Sequence, residues 1–444
     1  MLDFSWKKES LTCHKYFRLK TLLLIGAGKS ATVLIQYLIK ESEANNWKFL
    51  VADADKEQVL AKTGNSKFAT AIALDVTDDD AREKLIQKAH VVISMMPPAL
   101  HFLIAKDCVE YRKHLLTASY LDDKMKSLKD EIHHRKLLFL CEMGLDPGID
   151  HMSAMQIIHR LKNQGAVIKS FKSHCGGLIA PESDNNPWHY KISWNPRNVV
   201  LAGNAGALYK ENNETVQVPY QQIFSGKHEV KIDGLDSLAW YPNRDSLSYI
   251  PVYKLPEAAT FIRTTLRHPQ YLKGWQALVD ANLTNDTNVL QNSPLSFKDW
   301  SVAILPFVND ENQEMLDYLG LFKTTFIPAS AKSNADVLQH LLETALAMSP
   351  ADKDMIVMLH EIDFELNGVA SSVQSSLVVK GENNSATAMA KTVGLPLGIA
   401  AKLLLNGDLQ LRGLHIPILP EIYEPVLKSL EAEGIQFLEQ HKSE

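Results

Sequence analysis

Cysteine is scarce. There are four in 444 residues, Cys13, Cys108, Cys141 and Cys175, and no two stand in CxxC spacing. That argues against a zinc ribbon or a disulfide-stapled scaffold. An excess of basic charge is also missing: 46 basic residues face 52 acidic ones, for a net charge of -6, and the lysines and arginines are scattered. A nucleic-acid footprint is basic and clustered, so no nucleic-acid partner is expected. The longest apolar runs fall below the roughly 18 residues of a membrane span, so no membrane partner is expected either. The opening "MLDFSWKKESLTCHKYF" is polar and broken, unlike a signal peptide. The expected location is cytoplasmic, with reduced thiols. His174, Cys175 and His189 lack ligand spacing and "EIHHRK" (His133, His134) reads as a solvated helix face, so no metal is expected.

What is present is alternation. Six β-rich runs, "TLLLIG", "KFLVAD", "AIALDV", "VVISMM", "HLLTAS" and "LLFLCE", are separated by stretches of helical spacing in the first 150 residues. Buried apolar strands alternating with helices predict a parallel sheet covered on both faces, hence an α/β fold. After Val167, runs such as "IKSFKSHCGG", "KISW", "HEVKIDG", "DMIVMLHEIDFEL" and "SSVQSSLVVKG" predict a more antiparallel sheet. Residues 256–350 read as mostly helical, and the last sixty residues turn helical again, compatible with either sheet.

"IGAGKSA" sets Gly26-x-Gly28-x-x-Ala31 between the first strand and the first helix. This is the pattern of a dinucleotide turn: Gly26 for the bend, Gly28 for pyrophosphate approach, Ala31 for close packing. The following helix start offers free N–H groups to phosphate. Asp53, 25 residues after Gly28, ends the second strand, where a carboxylate accepts from both ribose hydroxyls and repels a 2′-phosphate. It favours NAD over NADP. Asp55 competes for that role, and Lys29 or Lys56 would favour a phosphate.

Ligands of open α/β sheets lie beyond the carboxyl ends of the strands. Later strand ends therefore supply candidates: Asp75 and Val76, the Met96–Pro98 loop, and Ser119 with Tyr120, the tyrosine reading equally well as an exposed loop residue. In "CEMGLDPGIDH", Pro147 and Gly148 shape a turn and Asp150 reads as the N-cap of a helix from His151. Asp146, left without a capping role, is expected to face the crevice. Arg244, Arg263 and Arg267 stand beside turn or helix-start residues; a guanidinium would bind a carboxylate substrate at two points, although each alone is more often a surface ion-pair arginine. Asp146, Tyr120 and Cys175 are the candidate proton-transfer groups, in no set order.

The segments "GLDPGIDH", "SHCGGLIAPESDNNPWHYKISWNPR", "WYPNRDS" and "IRTTLRH" closely resemble those of the L-glutamate-forming saccharopine dehydrogenase family (saccharopine reductases). "VVISMMPPALH", "TASYLD" and "MAKTVGLPLGIAAKLLLNG" also resemble it, and the resemblance covers the chain after about Lys20. It implies a variant Rossmann domain completed by the C-terminal segment, a second α/β domain for substrate, and a helical domain inserted in it. The expected divisions are 1–145 with 386–444, 146–255 with 351–385, and 256–350. The implied reaction interconverts saccharopine, NAD or NADP and water with L-glutamate and 2-aminoadipate 6-semialdehyde.

By similarity, Ser119, Tyr120, Asp146, Arg244, Thr265, Leu266 and Arg267 match saccharopine-contacting positions. Gly26, Ala27, Gly28, Lys29, Ser30, Asp53, Asp75, Val76, Met96, Leu145, Asp146 and Pro147 match cofactor positions, with Ser119 a further candidate there. Three departures stand out. Members of the family carry an aromatic residue and a valine where this chain has Lys29 and Ser30. Fungal NADP-linked members have a basic residue near the site of Asp53. Ile179 replaces a proline. Rival readings are a reductase of another imine, such as a carboxylated polyamine precursor, and a nucleotide sensor without catalysis. A homodimer is the assembly considered.

Overall fold

The computed structural model describes residues 19–290 and 295–443, so Cys13 and the opening segment lie outside the described residues. The six predicted strands form as β1 (Thr21–Ile25), β2 (Lys48–Asp53), β3 (Ala69–Ala73), β4 (Val91–Ser94), β5 (His114–Thr117) and β6 (Leu138–Leu140). They are parallel, in the order β6-β5-β4-β1-β2-β3, and a late strand, Gly413–His415, adds beside β6. β1, β4 and β6 are buried throughout, as an all-parallel sheet between helical layers requires. The order reverses between β1 and β4, which places the ligand crevice at their carboxyl ends.

The helix Ala388–Asn406 returns to this domain and packs on the helix Thr32–Asn45. A Cβ at Gly394 would lie 2.9 Å from that of Leu34, so glycine permits the approach. By length and composition this helix could cross a membrane, contrary to the reading of the apolar runs, but 78% of its most apolar window is buried in the protein. It is a core helix.

The second sheet is mixed. Its central β7 (Val167–Ile179) pairs antiparallel with Asp354–Leu366 and parallel with Thr260–Arg267. Thr260–Arg267 corrects two expectations: the helical stretch starts at Pro269 rather than 256, and Arg263 and Arg267 lie on a strand, not at a helix start. "KISW" forms no strand, only an isolated bridge at Ile192. The tail divides, because Leu438–Ser443 pairs with Val369–Lys380 in the second sheet while Gly413–His415 stays in the first. The helices that follow Pro269 enclose an aromatic core of Trp188, Tyr190, Tyr271 and Trp275.

Candidate active site

The glycine turn is built as its spacing predicts. Gly26 has φ +102°, and a Cβ there would stand 2.8 Å from the Met95 carbonyl, so no other residue fits. Over Gly28 the position of a Cβ meets nothing within 4 Å, leaving a cradle in which a phosphate can approach the main chain. Asp53 braces the turn: one carboxylate oxygen accepts from Ala27 N–H at 2.7 Å and the other from Asp55 N–H at 3.1 Å. Asp55 caps the helix Lys56–Thr63 by accepting from Gln58 N–H, which leaves Asp53 as the carboxylate at the turn. Lys62 closes the far side, its ammonium donating to the carbonyls of Ala27 (2.5 Å) and Gly28 (2.6 Å). No sequence signal marked Lys62.

Asp75 accepts from the hydroxyl and N–H of Thr77, which hold its carboxyl below the usual range. Val76, Leu145 and Leu266 have buried side chains in apolar clusters, so any contact these positions make to a ligand is through the main chain. Lys29 is exposed and Ser30 half-buried at the open edge of the turn. The Met96–Pro98 loop is shorter than expected, since Pro98 already opens the helix Pro98–Glu110.

The turn after β6 corrects the reading of Asp150. Gly148, at φ +147°, is the N-cap of the helix Ile149–Asn163, and a Cβ there would stand 2.1 Å from the Gly144 carbonyl oxygen. Asp150 lies inside the helix, where one oxygen accepts from Gly148 N–H at 2.6 Å and the other from Arg263 at 2.7 Å. The same Arg263 nitrogen donates to Asp146 at 2.5 Å, and the Tyr120 hydroxyl donates to Asp146 at 3.2 Å. The Asp146–Pro147 peptide is cis. Two carboxylates thus share one guanidinium that is 2% exposed. Burial pushes the Asp146 carboxyl above the usual range, with Arg263 pulling against it and Asp150 adding to the push. At Asp150 burial also pushes upward, but His151, Arg263 and Gly148 N–H outweigh it and hold the carboxyl low. Burial raises the Tyr120 hydroxyl and the Cys175 thiol, so both stay protonated at neutral pH.

Beneath this trio is a layer that sequence reasoning missed. Glu142 accepts from Leu121 N–H (2.9 Å) and from the Tyr249 hydroxyl (3.1 Å), and pairs with His151 at 2.8 Å. The other ring nitrogen of His151 meets the Tyr253 hydroxyl at 2.6 Å. Glu142 therefore ties the loop after β5 to the residue 249–253 segment of the second domain. Arg263 packs over the Tyr249 ring at 4.7 Å.

The remaining arginines differ. Arg244 is exposed, at φ +53°, with its guanidinium 5.3 Å from the centre of the Tyr120 ring. Arg267 lies on the Arg263 strand, four residues on and so on the same face, with Thr265 between. It is 4% exposed, flanked by the rings of Tyr190 and Tyr271, and donates to the carbonyls of Leu266 and Gly177. It has no ion-pair partner among the described residues, and its Nε has no hydrogen-bond partner. A buried cation without a counter-ion is costly, and here rings and main-chain carbonyls offset that cost only in part. Cys175 pairs in register with Thr265, on the neighbouring strand.

Residues 22–138 match the family described as the saccharopine dehydrogenase NADP binding domain, and residues 144–435 match the saccharopine dehydrogenase C-terminal domain. The chain is 33% identical to the saccharopine dehydrogenase (NADP(+), L-glutamate-forming) of Saccharomyces cerevisiae, over 93% of this chain and 97% of that protein. It is 34% identical to the mitochondrial alpha-aminoadipic semialdehyde synthase of Bos taurus, over 95% of this chain but 48% of that protein. The chain thus spans about half the length of its curated mammalian relatives. A solved structure of apo saccharopine dehydrogenase (L-Glu forming) from Saccharomyces cerevisiae superposes with a TM-score of 0.84 at 32% identity, covering 95% of this chain and all of that one. The chain belongs to the saccharopine dehydrogenase family.

Proposed function

We propose that the chain is an oxidoreductase that converts saccharopine, water and an oxidised nicotinamide dinucleotide into L-glutamate, 2-aminoadipate 6-semialdehyde and the reduced cofactor, or runs the reverse. The supporting observation is charge complementarity along one strand face. Asp146 and Asp150 share a single Arg263, leaving surplus negative charge for an ammonium, while Arg267 lacks an anion. Saccharopine carries both kinds of group. Arg267 and Arg244 would each hold a carboxylate, and Asp146 would accept from the amine.

The cradle above Gly28, braced by Asp53 and Lys62, fits a dinucleotide pyrophosphate. When bound, the nicotinamide supplies a hydride acceptor for the carbon beside the secondary amine. The imine left on the substrate takes up water, and the carbinolamine collapses with cleavage of its C–N bond to release glutamate. These steps need a group that takes and returns a proton. Asp146 fits that role, because its raised carboxyl titrates closer to neutrality than an ordinary acid. Burial holds Tyr120 and Cys175 protonated and makes both poor acids, which leaves them as hydrogen-bond donors rather than proton carriers.

The domain boundaries form part of this proposal: residues 1–145 with 386–444, less the Leu438–Ser443 strand, bind the cofactor, and 146–255 with 351–385 carry the substrate, the helical insertion starting at Pro269 rather than 256. The fungal relatives are named for NADP(+), whereas Asp53 opposes a 2′-phosphate. We assign the cofactor preference to Asp53: Asp53→Asn should raise the kcat/KM ratio of NADP to NAD about 10-fold, the size of one unfavourable charge contact, and an unchanged ratio would refute this assignment. The activity itself is tested by following absorbance at 340 nm with saccharopine and either cofactor. No reduction of either would remove the proposal.

A further inference from the structure

A buried polar chain leads from the sheet to the candidate site. Ser94, the last residue of β4, is fully buried, and its hydroxyl lies 2.7 Å from Nδ1 of His101. His101, on the helix Pro98–Glu110, is 5% exposed, and its Nε2 lies 2.6 Å from the hydroxyl of Ser119, beyond the end of β5. Burial pushes the imidazole down to about 4, against a smaller upward pull from Asp122, so the ring is neutral at neutral pH. A neutral imidazole donates from one nitrogen and accepts at the other.

The surroundings select the tautomer. The Ser94 hydroxyl has His101 as its one side-chain hydrogen-bond partner among the described residues, and a buried hydroxyl hydrogen needs an acceptor. Nδ1 must therefore accept, which puts the proton on Nε2, where it is donated to the Ser119 oxygen. Ser119 is half-buried and its hydroxyl has no second partner among the described residues, so its hydrogen is left free. The reverse order would strand the Ser94 hydrogen in the core and turn the Ser119 hydrogen back onto the ring.

Resting on the proposed function, we propose that His101 is a positioning residue that makes the Ser119 hydroxyl a hydrogen-bond donor to an oxygen of the bound ligand. That oxygen belongs either to a saccharopine carboxylate or to the nicotinamide carboxamide. Ser119 touches the ligand, and His101 acts only through it.

A double-mutant cycle tests this. Ser119→Ala and His101→Leu should each raise the KM for saccharopine, or the dinucleotide Kd read by cofactor fluorescence, about 10-fold, with kcat changed less than about threefold. Which constant moves identifies the oxygen. The double variant should match Ser119→Ala alone. His101→Gln, which keeps a donor toward Ser119, should recover most of the loss, and Ser94→Ala, which frees the tautomer, should cost about threefold. Effects that multiply in the double variant, or ligand constants unchanged in His101→Leu, would overturn the proposal. If His101→Leu does not fold, His101→Gln and Ser94→Ala decide: a Gln variant as impaired as Ser119→Ala, or a Ser94→Ala variant with unchanged constants, overturns it. A wild-type protein inactive on saccharopine would refute the function while leaving the coupling measurable from dinucleotide binding.

Discussion

Arg263 and Arg267 share a strand, a face and nearly the same burial, yet their surroundings differ. Arg263 holds two carboxylates delivered by the turn after β6, and its charge is consumed within the fold. Arg267 is surrounded by two tyrosine rings and main-chain carbonyls, with one nitrogen left without a partner. A guanidinium in an apolar interior is tolerated only if something satisfies it. The first is satisfied by two carboxylates of the protein, the second only by rings and main-chain carbonyls, so under the proposed function the one should act chiefly in stability and the other chiefly in binding.

The largest effect should come from Arg263→Met. It leaves Asp146 and Asp150 buried without their cation, and breaking such a pair from one side costs on the order of 3–5 kcal/mol. Urea denaturation followed by tryptophan fluorescence should show that loss, and a cost below about 1 kcal/mol would erase the contrast between the arginines.

Arg267→Met should do the opposite. With no carboxylate to abandon, the fold should keep its stability within about 1 kcal/mol or gain some. The KM for saccharopine should rise roughly 10- to 150-fold, the equivalent of about 1.5–3 kcal/mol for a charge-assisted contact. Equal losses of stability in both variants would show that Arg267 is structural.

The smallest effect concerns pH. Asp146 is raised and Asp150 lowered, so as pH falls Asp146 takes up its proton first. The acid limb of kcat/KM should therefore lie above the range of an ordinary carboxylate, near pH 4, and Asp146→Asn should abolish that limb. The sign for stability is reversed between the two acids. Asp150, depressed in the fold, contributes stability above the ordinary carboxylate pKa and loses it as pH falls. Asp146 loses stability as it ionises. An acid limb retained in Asp146→Asn would assign it to another group.

Much of the nucleotide half was legible because its signals are local. Each buried parallel strand is a short apolar run, and the dinucleotide turn is written in Gly26, Gly28 and Ala31. The substrate half was harder to read. Thr260–Arg267 carries two arginines and three threonines, so it does not look like a central strand until partners more than a hundred residues away neutralise Arg263. Asp150 followed the rule for helix caps on paper, but Gly148 holds the positive φ at the cap and releases Asp150 to the arginine. His101 and Glu142 gave no local signal, since each matters only through residues on other strands or helices. Period-two spacing of Arg263, Thr265 and Arg267 was the one available hint of a shared face.

The most direct measurement is the saccharopine dependence of nicotinamide reduction at 340 nm in the wild type and in Arg267→Met, with thermal melting of both. The expected result is turnover by the wild type, a KM raised at least 10-fold in the variant, and matching melting temperatures. A wild type that reduces neither cofactor, or a variant with the parental KM, would contradict it.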